Sequence, residues 1–212
     1  MRIVFAVLCA LCVSAVNPDS FLTCPPQGRG GDPMLNLQKN RVTAPKTYAD
    51  RSVAQIAAYI PRNALKMHPL SGKRKQRRRW TSAAKQEVAP VEKQGARVSG
   101  YLIDFTAGPA ETCNCGSTVW VDYHLYLAPA PTDDRRKALV AEITPRVYRS
   151  HPAWIPRLRE LAQSKAQVRV SGWLMWDEEH PASVGKARVT QWEVHPVVVI
   201  EEVKDGEWMR LD

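Results

Sequence analysis

The phrase Arg-Val-Ser-Gly-Tyr-Leu at 97–102 returns as Arg-Val-Ser-Gly-Trp-Leu at 169–174, while the residues flanking the two copies do not match. A duplicated domain would carry the likeness further along the chain, so the echo points to one fold that uses the same strand geometry twice. Each copy is built of strand-forming residues interrupted by a glycine, which tolerates sharp strand curvature and close approach of another backbone. Alternation places Val98, Leu102, Val170 and Leu174 inward and Arg97, Tyr101, Arg169 and Trp173 outward.

The order of segments around the two copies is equally restrictive. Residues 96–106, 119–128, 138–144, 167–176 and 187–203 are rich in Val, Ile, Tyr, Trp and Thr and are mostly separated by turn residues. Between the third and fourth, Trp154, Leu158 and Leu161 recur at helical spacing over 154–163. The order β-β-β-α-β-β predicts a mainly β protein, a five-stranded OB-like (oligonucleotide/oligosaccharide-binding) Greek-key barrel with a helix between strands three and four. In that topology strands one and four lie side by side and close the barrel, which accounts for a bend-permitting glycine in each.

With 212 residues, the chain accommodates this barrel, over 95–212, and an N-terminal region, but not two full cores. Residues 1–15 have the layout of a secretory signal peptide: Arg2, an apolar run from Ile3 to Val13, then Val13-Ser14-Ala15 as a small-residue cleavage signal. The run is shorter than the ~20 residues a membrane span needs, and a buried N-terminal strand is the competing reading. The expected destination is secreted or periplasmic. Residues 16–94 form an irregular and helical appendage: Asn17 to Arg41 is rich in Pro, Gly and Asn, and Ser52 and Ser82 begin short helices ended by Pro61 and Pro90.

Cys9 and Cys12 would leave with the leader, so Cys24, Cys113 and Cys115 remain. An oxidising compartment favours one disulfide from Cys24 to either partner, with the third thiol free. The net charge is +9, and +8 once Arg2 is removed; KRKQRRR at 73–79 carries six of those charges, so the rest of the chain is nearly balanced. That run reads equally as a phosphate-neutralising patch or as a solvated loop.

Two sets of residues could carry function. On strand two, Trp120, Asp122, His124 and Tyr126 share one face; with Trp173 and the cations Arg97, Arg146 and Arg169 they make a candidate surface for stacking on and charge-pairing with a nucleic acid or another anionic or sugar-like polymer. Separately, Cys113, Cys115, Asp122 and His124, joined by His180 and His195 if strands four and five bring them near, are candidate ligands for a divalent metal ion. The Cys-x-Cys spacing is not that of known zinc modules, and ordinary surface or core roles compete with metal binding. Asp177 to His180, Glu193 and His195 set carboxylates beside histidines, the residue types that activate water in a metal-dependent hydrolase or nuclease. An envelope scaffold or protein-interaction module is the third reading.

Phrases spread along the chain also resemble a family of exported bacterial proteins with an OB-like barrel: GGDPMLNLQKNR at 30–41, ETCNCG at 111–116, DYHLYL at 122–127, AEITPRV at 141–147, SGWLMWDEEHP at 171–181 and WEVHPVVVIEE at 192–202. The resemblance implies an exported barrel and supplies no catalytic or ligand residues to carry over.

Overall fold

The computed structural model describes residues 21–66 and 77–211; the expected leader and Lys73 to Gln76 of the basic run lie outside the described residues. Seven strands are formed: β1 (Tyr48–Arg51), β2 (Gly95–Ala107), β3 (Tyr123–Ala128), β4 (Leu139–Ile143), β5 (Gln167–Trp176), β6 (Trp192–Lys204) and β7 (Glu207–Arg210). The α-helices are α1 (Pro33–Lys39), α2 (Val53–Ala58), α3 (Arg62–Leu65), α4 (Ser82–Glu92), α5 (Pro145–Tyr148) and α6 (Trp154–Gln163).

β2 pairs antiparallel with β3, and β3 with β4; β4 runs parallel to β6, β6 pairs antiparallel with β5, and β5 returns antiparallel to β2. This is a closed OB barrel with α6 between its third and fourth strands. The two repeated phrases lie side by side, with Val98 opposite Val170 and Arg97 opposite Ser171. Gly172 sits where the β5–β6 register shifts, and a Cβ there would lie 2.2 Å from the Pro196 carbonyl oxygen and 2.9 Å from Val197 Cα. At Gly100 the corresponding approach to the Ala128 carbonyl oxygen is milder, at 3.0 Å.

Val98, Leu102, Leu125, Leu127, Ile143, Val170, Leu174, Val194 and Ile200 fill the interior, and α6 adds Trp154, Leu158 and Leu161. Full burial of each such aliphatic side chain stabilises by about 1.5–3 kcal/mol. Val53, Ile56, Ala64, Trp80, Ala84 and Val88 of the N-terminal region belong to the same hydrophobic cluster.

Several boundaries differ from the sequence expectation for identifiable reasons. Strand two begins at Tyr123 rather than 119, because Ser117 Oγ accepts from the Val119 and Trp120 backbone N–H groups and holds 117–120 in a turn. α4 continues past Pro90 to Glu92 and is capped by Thr81, not Ser82: Thr81 Oγ1 accepts from Ala84 N. The segment expected to be irregular contains α1, started by Asp32 as N-cap and Pro33 in the first turn. Strand five begins at Trp192 rather than 187. β1 and β7 extend the sheet beyond the five expected strands; β7 turns back from β6 through Asp205-Gly206, both at positive φ as a type I′ hairpin requires.

The basic run is corrected at one position. Arg77 is buried, with its Nη1 and Nη2 each 2.6 Å from a Glu92 carboxylate oxygen, Nη2 donating to the Trp176 carbonyl at 2.6 Å, and Nε 2.9 Å from Glu178. Arg79, two residues on, is exposed.

Two predictions follow the geometry of closure and of Arg77. Gly172→Ala will destabilise the fold by about 1–3 kcal/mol or more and by more than Gly100→Ala, read as urea midpoints; equal effects would contradict the role given to the backbone approach at Gly172. Arg77→Ala, which strands the Glu92 carboxylate, will cost about 3–5 kcal/mol, whereas Arg79→Ala will stay within about 0.5 kcal/mol.

Candidate metal centre

The barrel turns its apolar alternates inward, so the polar alternates of neighbouring strands line up outside. His124 on β3 faces Glu142 on β4 directly across the ladder. β4 pairs with β6 in the register Val140–Glu193 and Ala141–Val194, which carries Glu142 toward His195. His124, Glu142 and His195 therefore form a row across three adjacent strands.

This outer face is not open. The turn Thr112–Asn114 between β2 and β3 lies over it and brings Glu111 and Cys113. α1 holds that turn: Asn40 Nδ2 donates to the Cys113 carbonyl at 2.9 Å, Asn36 Oδ1 accepts from Thr112 Oγ1, and the Cys24–Cys115 disulfide ties the chain ends of the clamp. The segment after β5 supplies Asp177 and His180, and the loop before β6 inserts Arg188. A cleft of about 100 Å³ remains on this side, lined among others by His124, Glu142, His180 and Arg188.

Six potential ligands converge. Donor atoms of Glu111, Cys113 and Asp122 lie within 4.8 Å of one another, as do those of Glu111, His124 and Glu142, and those of Asp122, Glu142 and His195. The three carboxylates thus form an inner triangle, with Cys113, His124 and His195 each against one side. His124 Nε2 is 3.3 Å from Glu142 Oε1, and His195 Nε2 is 3.7 Å from Asp122 Oδ2. His195 Nδ1 lies 3.1 Å from Glu193 Oε1 and 3.2 Å from Glu142 Oε2; Glu193 is held ionised, so Nδ1–H donates to it and Nε2 faces Asp122. Glu193 in turn is 2.7 Å from Arg188 Nη2. A carboxylate orienting the far nitrogen of an imidazole is the arrangement that prepares histidine for a metal.

Carboxyl groups outnumber the permanent cations. Glu111, Asp122, Glu142 and Glu193 are met by two permanent cations, Lys39 and Arg188, even leaving aside Asp177, which shares Arg188. Burial opposes the Glu111 carboxylate, yet Lys39 at 2.5 Å holds it down at about 2. Burial, and then the Glu111 charge, pushes Asp122 up to about 6; burial and Glu193 push Glu142 well above the carboxylate range. Burial lowers His124 to about 4, so its imidazole is neutral near pH 7. Burial and Asp122 raise the Cys113 thiol, which keeps its proton. His195 Nε2 is buried without a hydrogen-bond partner among the described residues, and His124 Nε2 and Glu142 Oε2 make no well-aligned hydrogen bond although they lie 3.3 Å from Glu142 Oε1 and 3.2 Å from His195 Nδ1.

Of the expected metal ligands, the fold brings together Cys113, Asp122, His124 and His195. Cys115 is withdrawn by its disulfide, and His180 stands at the cleft, bonded to Asp177. The expected polymer-binding face is engaged internally. Trp120 stacks between Phe21 and Tyr148; Tyr126 is buried beneath Arg135; Trp173 Nε1 donates to the Thr43 carbonyl under the Arg41 guanidinium. Arg97 pairs with Asp50, Arg146 donates to the Cys24 and Pro25 carbonyls, and Arg169 pairs with Glu201 over Trp208. Asp122 and His124 do face out from the barrel, but Asp122 is buried under the Thr112–Asn114 turn, where Asn114 Nδ2 donates to it, and His124 lies in the cleft beside Glu142.

Glu111, Glu142 and Lys39 are absent from the sequence expectation. Glu142 left a signal, a lone acid inside the strand Leu-Val-Ala-Glu-Ile. Lys39 left none, since a lysine in a polar segment is ordinarily solvated.

No family model matches the chain, and no curated protein matches it either. Among solved structures it is similar to two mutants of the Salmonella typhi PltB homopentamer, one of them with Neu5Ac-alpha-2-3-Gal-beta-1-4-GlcNAc glycans. Identity is 12% in each case, the match covers 54% of this chain and 90% of the other, and the TM-scores are 0.36 and 0.35. A likeness at that level carries no argument about a shared ligand.

The clamp over the centre depends on a crosslink between residues 91 apart in sequence, a loop for which chain entropy gives about 4–5 kcal/mol. Reduction, or Cys24→Ser with Cys115→Ser, will lower stability by up to that amount in denaturant titrations; an unchanged midpoint would contradict the clamp.

Proposed function

We propose that the chain is an exported OB-barrel protein that holds one first-row divalent metal ion between Asp122, Glu142 and His195, with His124 standing against the same Glu142 carboxylate. The single observation carrying this reading is the convergence of buried imidazole and carboxylate atoms that lack well-aligned hydrogen bonds. A buried polar atom left unsatisfied costs about 1–3 kcal/mol, and a cation answers several at once. An imidazole with two carboxylates favours ions such as zinc or manganese, whereas magnesium and calcium prefer all-oxygen shells.

The location supports the same reading. OB barrels commonly bind ligands on the face of their second and third strands and at the loops joining strands one to two and four to five. Here those are β3, β4 and the segments carrying Glu111 and Asp177. An oxidising destination, as the leader implies, fits a disulfide at Cys24–Cys115. The rival to a metal is proton uptake by Asp122 and Glu142, the two carboxylates that burial pushes upward.

Purified protein dialysed against zinc or manganese will retain one equivalent of ion by elemental analysis, and magnesium or calcium will not substitute. At a free concentration one hundred times Kd, the ion will stabilise the fold by about 2.7 kcal/mol. His195→Ala and Glu142→Gln will lose the ion, and Cys113→Ser will keep it. Protein that retains no ion and melts identically with zinc and with chelator rejects the proposal in favour of protonated carboxylates.

A further inference from the structure

Beside the row of ligands lies a second unit that metal binding alone does not require. His180 Nδ1 lies 2.8 Å from Asp177 Oδ2. Asp177 is buried and held in place: Oδ1 accepts from the Glu179 backbone N–H at 2.8 Å, Oδ2 receives Arg188 Nη1, and the Asp177 carbonyl accepts from Gln191 Nε2 at 2.7 Å. Burial opposes the Asp177 charge, yet His180 and Arg188 keep it ionised. Nδ1–H of His180 therefore donates to a fixed carboxylate, and its side chain, half exposed, stands at the cleft with Nε2 available. This is an oriented acid–base pair of the kind that serves proton transfer.

The same cleft is lined by His124 and Glu142, which belong to the metal row, and by Arg188. Arg188 is 4% exposed, and its Nε–H has no acceptor among the described residues. With the proposed ion in place, Arg188 and the His180 proton donor around one small cleft would form a receptor for a tetrahedral oxyanion. A carbonyl substrate would use only one such oxygen contact; a phosphate ester offers several.

Resting on the metal reading above, we infer that this cleft hydrolyses phosphodiesters, with the ion-bound water as nucleophile and His180 as the proton donor to the leaving oxygen. The water loses one proton to solvent and its oxygen bonds to phosphorus. The phosphorus–oxygen bond to the leaving group breaks, its electron pair goes to that oxygen, and the Nε2 proton of His180 neutralises it. A diester and one water become a phosphate monoester and an alcohol, and His180 regains its proton from solvent. No atom is oxidised or reduced. Asp177 acts through His180 and is a positioning residue.

The test uses the full chain loaded with zinc or manganese and two substrates: bis(p-nitrophenyl) phosphate, whose leaving group needs no proton, and a dinucleoside monophosphate, whose leaving group does. Wild-type protein will cleave both and will be inhibited by inorganic phosphate. His180→Ala will keep its equivalent of ion, lose about 10²–10⁴-fold in kcat on the dinucleotide, and lose less than 10-fold on the nitrophenyl diester. Asp177→Asn will show the same split; His180→Gln covers the case in which the alanine variant folds poorly. Loaded wild-type protein that cleaves neither diester overturns this inference and leaves the metal reading standing, whereas protein that retains no ion overturns both. Equal losses on the two substrates overturn the role of His180, and faster cleavage of p-nitrophenyl acetate than of either diester overturns the substrate class.

Discussion

The pairing of β2 with β5 is the contact on which the rest of the molecule depends. It turns a curled sheet into a closed barrel, and closure leaves no freedom in the register of the remaining strands. Because side chains alternate faces with a period of two, a slip of one residue anywhere in β3, β4 or β6 would exchange core for surface along that strand. His124, Glu142 and His195 share one outer row because Leu125, Ala141 and Val194 must share the inner one. The chemistry on the outside is thus placed by packing on the inside.

Covering that row is costly, and the chain covers it anyway. The N-terminal region folds back over the outer face, where α1, the Thr112–Asn114 turn and the Cys24–Cys115 bond bury four carboxylates against two cations. Buried charge without a partner is strongly unfavourable, and a hydrophobic patch of similar size would be the more stabilising solution. An excess of carboxyl groups retained inside an otherwise well-packed fold is what the proposed cation site would require. Lys39 answers two carboxylates at once, Glu111 at 2.5 Å and Glu179 at 3.3 Å.

Charge continuity links the two halves of the site. His195 is oriented by Glu193, Glu193 is paired with Arg188, Arg188 reaches Asp177, and Asp177 orients His180. These contacts span β6, the loop before it and the segment after β5, so the metal row and the acid–base pair keep a fixed relation. The N-terminal region contributes to the fold in the same manner: Arg77, which sequence alone would assign to a solvated basic run, neutralises Glu92 in the interior.

Local pattern was enough to determine the barrel. The repeated Arg-Val-Ser-Gly phrase, the alternation within each strand and the helical spacing of Trp154, Leu158 and Leu161 depend on neighbours a few residues away, and such signals survive in a linear string. Asp122, His124, Cys113 and His195 were legible as candidate ligands for the same reason, since their chemistry shows in their residue type. What covers a face does not. Whether Trp120, Trp173 and Arg169 meet solvent or meet Phe21, Thr43 and Glu201 was decided only when segments far apart in sequence packed together. The choice of Cys115 over Cys113 for the disulfide, the entry of Glu111 and Glu142 into the centre and the burial of Lys39 and Arg77 belong to the tertiary structure alone. Charge reads as solvated in a sequence, and only a fold can take it out of water.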